Sequence, residues 1–220
     1  MKKIAIAAAA LTALTGLASA EIVQIDIVGS VDFGGVNIGQ WADVNPGDSA
    51  VMSFQVDTNN FLDSTNFPTR GYEIISSSFA LTLDGITGGM ANPYPNDAAP
   101  YFIIRDNDPA VDGFYLAEHP DQFPIGVATD EPAQIGETFR ALFSATYGGD
   151  RLDSLDILGA VGTYDFTGLQ VFNWGLEDGP FQPMGFIFDS FTISVVPAPS
   201  SAALLTMGAL TCARRRRAHA

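Results

Sequence analysis

The chain reads as an all-β protein, an antiparallel β-sandwich of jelly-roll type, on three observations. Apolar and polar residues alternate over short runs, which is the period of a strand with one face buried. Clusters of Gly, Pro, Asn and Asp separate those runs, with 22 Gly and 13 Pro in 220 residues. Helical period is almost absent between them, so the crossover helices of a parallel sheet are not expected.

The elements follow in order. Val23, Ile25 and Ile27 alternate with Gln24 and Asp26 in the first strand. Pro46, Gly47 and Asp48 form a turn, after which Met52, Phe54 and Val56 alternate with Ser53 and Gln55. Phe79, Leu81 and Leu83 alternate with Ala80 and Thr82 up to a turn at Asp84 and Gly85. Residues 101–105 read as a short or buried strand. In the clearest strand Phe139, Ala141, Phe143, Ala145 and Tyr147 share one face, closed by Gly148 and Gly149. Residues 169–174 and 184–196 complete a set of about eight strands. In the last of them the apolar register shifts between Phe188 and Phe191, which points either to a β-bulge near Asp189 and Ser190 or to burial on both faces. Leu152, Leu155 and Leu158 at threefold spacing predict one helical turn. Sixteen phenylalanines supply the core.

Both ends carry export information. Lys2 and Lys3 precede an apolar run over residues 4–17, and Ala18, Ser19 and Ala20 place small residues where a signal peptidase needs them. Residues 1–20 are therefore expected to be a secretory signal peptide cleaved before Glu21. At the other end Val196, Pro197, Ala198, Pro199 and Ser200 open a linker over residues 197–201, extended and accessible to a protease. An apolar run over residues 202–213 follows, expected to be a short hydrophobic helix, and then Arg214, Arg215, Arg216 and Arg217 within a basic tail, residues 214–220. Four charges directly after a membrane segment hold that side in the cytoplasm. Twelve helical residues reach only about 18 Å of the roughly 30 Å hydrocarbon core. Such a segment suits transient membrane insertion followed by removal.

This order of motif, apolar run and arginines resembles the PEP-CTERM sorting signal, in a Val-Pro-Ala-Pro-Ser variant that has Ala198 at the centre of the motif. The resemblance covers roughly the last tenth of the chain. It implies that an exosortase-type membrane protease processes the protein, in an organism that exports polysaccharide. The expected destination is the cell surface or the extracellular matrix.

Between the two ends lie residues 21–196, enough chain for one β-sandwich domain with its own core. Its only basic residues are Arg70, Arg105, Arg140 and Arg151, against 25 acidic ones, a formal charge of −21 with no lysine. Such a charge disfavours nucleic acid and anionic membrane surfaces, and favours divalent cations and solubility at a crowded surface. Cys212, the one cysteine, stands in the apolar run 202–213, so the domain has no disulfide, thiol nucleophile or thiolate zinc site.

The most pointed cluster is Asp106-Asn107-Asp108-Pro109-Ala110-Val111-Asp112-Gly113. Alternate oxygen-bearing side chains on a turn converge on a hard cation, which makes Asp106, Asp108 and Asp112 candidate calcium ligands; the competing reading is an ordinary strand connection. His119 lacks a Gly-x-Ser-x-Gly nucleophile to serve. Glu73, Glu118, Glu137 and Glu177 are available for glycoside cleavage, but their separations are not fixed by the sequence. Trp41, Tyr94 and Trp174 are candidates to stack on sugar rings or, alternatively, core residues. The expectation is an exported, non-enzymatic surface or matrix protein without an obligate cofactor. The alternatives are a carbohydrate-binding domain, calcium-dependent and directed at exopolysaccharide, and a polysaccharide-active hydrolase.

Overall fold

The structure is a computed structural model that describes residues 21–108 and 110–197. It is all-β, with twelve strands: β1 (Ile22–Gly34), β2 (Ser49–Asp63), β3 (Thr69–Ile74), β4 (Ala80–Leu83), β5 (Ile86–Gly88), β6 (Tyr101–Arg105), β7 (Val111–Ala117), β8 (Val127–Pro132), β9 (Thr138–Gly148), β10 (Gly162–Tyr164), β11 (Leu169–Asp178) and β12 (Phe181–Val195). Every strand pairing is antiparallel. The all-β, antiparallel expectation therefore holds.

The sheet does not divide into two separate layers. Its strands run in the order β1-β12-β11-β9-β7-β6-β3-β2, and β2 pairs again with β1, so eight strands close into a barrel. Short strands branch off where a long one changes partner. β2 pairs with β4 along Ala50 to Ser53 and with β3 beyond Val56. β9 pairs with β8 near Ala141 and with β7 from Ser144 onward. Closure of this kind leaves few free edges.

Alternation decides which side chains fill the barrel. Val23, Ile25 and Ile27 of β1 are fully buried, as are Met52, Phe54 and Val56 of β2. Phe191 sits at the centre, its ring 4.8 Å from that of Phe114 and 5.3 Å from that of Phe143. Such edge-on contacts suit the charge distribution of aromatic rings. The predicted bulge is present: Val28 pairs with Ser190 and Gly29 with Phe188, leaving Asp189 as the extra residue. Gly29 is needed there, because a Cβ would overlap the Ile187 carbonyl and lie 2.7 Å from the Phe188 Cα.

The predicted helical turn is not formed. Leu152 and Ile157 are buried along a chain of turns, while Leu158 is 39% exposed, so the threefold spacing of leucines does not mark one buried face. The segment is instead held by its backbone, with the Leu155 carbonyl accepting from the Tyr72 hydroxyl at 2.8 Å.

Strand direction assigns the loops to two ends. One end carries the start of β1, the end of β12, the β2–β3 and β6–β7 loops and the segment between β9 and β10. The candidate calcium residues lie there, beside the two ends of the domain.

Candidate functional site

β7 brings Asp112 into the barrel mouth. Its even-numbered residues Asp112, Phe114 and Leu116 point inward, and Asp112 is fully buried. The carboxylate accepts backbone N–H groups from Asn107 at 2.9 Å, from Leu152 at 2.8 Å, and from Arg151. It thereby ties the β6–β7 loop to the segment that follows β9. These bonds satisfy donors that burial would otherwise leave without partners.

Asp106 and Asp150 join it: one carboxylate oxygen from each of Asp106, Asp112 and Asp150 lies within 4.8 Å of the others. Burial, and then the charges of Asp112 and Asp150, push the Asp106 carboxyl above its ordinary value. The Asn107 amide donates to Asp106 at 3.0 Å and to Asp150 at 3.4 Å, softening the repulsion. Three such groups are part of the oxygen set a hard cation takes.

Of the three candidate calcium residues, Asp106 and Asp112 lie together and Asp108 does not. Its N–H donates to the Val111 carbonyl at 3.0 Å, and its side chain lines a separate cleft on the outside of the barrel. The third member of the cluster is Asp150, from a distant connection. The sequence signal for it was the Gly148-Gly149 turn, which ends β9 beside the start of β7, where Val111 pairs with Gly148.

That outer cleft is floored by Thr69 of β3, Arg105 of β6 and Tyr115 of β7, residues on the outward face of three neighbouring strands. The connection between β7 and β8 folds back over this face. It covers a second small apolar cluster of Ile103, Tyr115 and Ala117 and raises Asp121, Gln122, Phe123 and Pro124 as one wall. Phe67 and Asp108 contribute from the facing loops. Asp121 is held low in pKa first by the Ser64 hydroxyl, which donates to it, so it stays an anionic acceptor. Burial pushes the Tyr115 hydroxyl up to about 12, so it stays a donor. The Arg105 Nη2 donates to Thr146 at 2.6 Å, whereas its buried Nε has no partner among the described residues.

The other candidates separate in space. Trp41 and Trp174 are core, 0% and 1% exposed, so neither offers a face to a sugar. Trp41 packs on Phe139 and Trp174 on Phe186. The Tyr94 hydroxyl donates to Glu118 at 3.2 Å and accepts from the Ala128 N–H at 3.1 Å. Glu118 and Glu177 both meet Arg140, the first in an ion pair at 2.9 Å and the second as its neighbour across the β9–β11 ladder. Glu73 accepts from Asn60 at 2.9 Å, away from both. The His119 Nδ1 accepts the Asp121 N–H at 3.1 Å, and Ser64 donates to Asp121 rather than to His119, which is not the bonding order of a nucleophile, base and acid triad.

At the expected sorting motif, the last strand ends at Val195, the Val196 N–H donates to the Ile22 carbonyl at 2.8 Å, and Pro197 is exposed. Residues 1–20, Ala198, Pro199, Ser200, the apolar run 202–213 and Arg214 to Arg217 lie outside the described residues. Comparison with known proteins gives no matching family model, no matching curated protein and no matching solved structure.

Proposed function

We propose that this chain is an exported, non-enzymatic surface or matrix protein. Its signal peptide directs it out of the cytoplasm, and its C-terminal PEP-CTERM-like signal delivers it to an exosortase-type protease. The observation that carries this reading is the placement of charge. All four C-terminal arginines follow an uncharged run, in a protein whose domain of residues 21–196 has no lysine and a formal charge of −21. The geometry of the domain supports it. The last ladder residue, Val195, stands directly before the motif and opposite Val23, so the leader and the sorting signal join the barrel at the same end. The remaining solvent-facing acids suit a protein that stays dispersed at a crowded surface. Deleting residues 202–220 tests the reading: the truncated protein is expected in the medium and the full chain at the surface. Equal retention of both would overturn it.

A second reading concerns calcium at the barrel mouth. It is supported by the convergence of Asp106, Asp112 and Asp150, whose repulsion a divalent ion would relieve. Calorimetry with calcium chloride on the full chain in mild detergent tests it. Heat of binding and a raised Tm support a site, and their joint absence ends it.

A further inference from the structure

The cleft on the outer face of β3, β6 and β7 is distinct from the acidic mouth, and the export reading does not use it. We propose that it binds a single neutral sugar residue of a glycan, with Phe123 and Phe67 against the apolar face of the ring and Asp108, Asp121 and Arg105 bonded to its hydroxyls.

Two features select that chemistry. The first is the mixture of donors and acceptors. Asp108 and Asp121 only accept hydrogen bonds, while Arg105, which also lines the cleft, only donates. A hydroxyl both donates and accepts, so a polyhydroxylated ring satisfies both kinds of group at once. An anionic ligand would meet two carboxylates within a domain of formal charge −21. A bare metal cation would meet the Arg105 guanidinium in the cleft floor.

The second feature is the pair of aromatic rings. Phe123 is 84% exposed and Phe67 47% exposed, on two different loops that border the same cleft. Single apolar residues on a surface are common, but two phenylalanines flanking one polar-floored cleft form a pair of apolar walls. The C–H face of a sugar ring is the matching surface. The floor is rigid, because Thr69, Arg105 and Tyr115 sit on paired strands and the Thr69 hydroxyl donates to the Pro120 carbonyl at 2.8 Å.

Affinity electrophoresis tests the proposal on the full chain in mild detergent, in gels containing a neutral glucan, galactan or mannan, with polygalacturonate as the anionic counterpart. At least one neutral polysaccharide is expected to retard the protein. Phe123→Ala should weaken that retardation by about five- to tenfold, the effect of losing one aromatic contact. Phe123→Tyr, which keeps the ring, should restore it. Because Phe123 is exposed, both variants should keep the parent Tm. No retardation in any neutral gel, retardation by polygalacturonate alone, or retardation unaffected by Phe123→Ala would each overturn the proposal. None of these outcomes bears on the surface-retention result of the 202–220 deletion, so the two proposals fail separately.

Discussion

Val23 and Val195 face each other across the ladder that joins the first strand to the last. β1 is therefore paired on both edges, with β12 on one side and β2 on the other, and it closes the barrel. The strand next to the expected signal-peptidase site is also the closing strand of the fold.

Protection from exchange should follow that pairing. The amides of Val23, Ile25 and Ile27 are expected among the slowest to exchange with deuterium, because opening β1 breaks two ladders and exposes fully buried side chains. Hydrogen-exchange mass spectrometry checks this. Exchange of the β1 amides as fast as those of the β1–β2 loop would mean that the barrel does not close here.

The bulge at Asp189 gives a second outcome. Gly29→Ala should destabilise the protein by about 3 kcal/mol, the upper end of overpacking costs, because the new Cβ meets backbone rather than a movable side chain. Urea denaturation measures it. A loss within about 0.5 kcal/mol, as at an ordinary surface position, would show that the β1–β12 register differs from the one described.

Asp112 and Asp106 should respond in opposite directions. Asp112→Ala leaves three backbone N–H groups without their acceptor, and a loss of about 3 kcal/mol is expected in urea denaturation. Asp106→Asn should instead raise Tm at neutral pH. The folded state pushes the Asp106 carboxyl above its ordinary value of 3.8, so its ionised form costs stability at neutral pH. That cost is present above the folded pKa and disappears as pH falls towards 3.8. The advantage of Asp106→Asn should therefore shrink as the pH is lowered through this window. An advantage independent of pH would place its origin outside the carboxylate cluster.

The legible parts of the fold were the strands with one covered face. Residues 139–147 alternate because the barrel interior covers one face, while on the other Arg140, Ser144 and Thr146 are only half-buried. β7 escaped notice for the opposite reason. Asp112 to Ala117 are buried on both faces, the outer one beneath the β7–β8 connection, so Val-Asp-Gly-Phe-Tyr-Leu-Ala shows no alternation. The same burial hid the role of Asp112: a turn-like Asp-Gly pair was in fact the start of a strand. Closure into a barrel, rather than two layers, depends on which strands pair with both ends of β1, a long-range choice that local alternation does not encode. Asp150 joined the candidate site through the β7–β9 pairing. Asp108 left it because the loop turns its side chain outward to the cleft.

Mass spectrometry of the mature protein taken from the cell surface tests the export reading most directly. The expected N-terminus is Glu21 and the expected C-terminus falls within residues 197–201, so that no peptide contains Arg214 to Arg217. Recovery of those arginines in the bulk of the surface protein, or of residues 1–20 at its start, would contradict it.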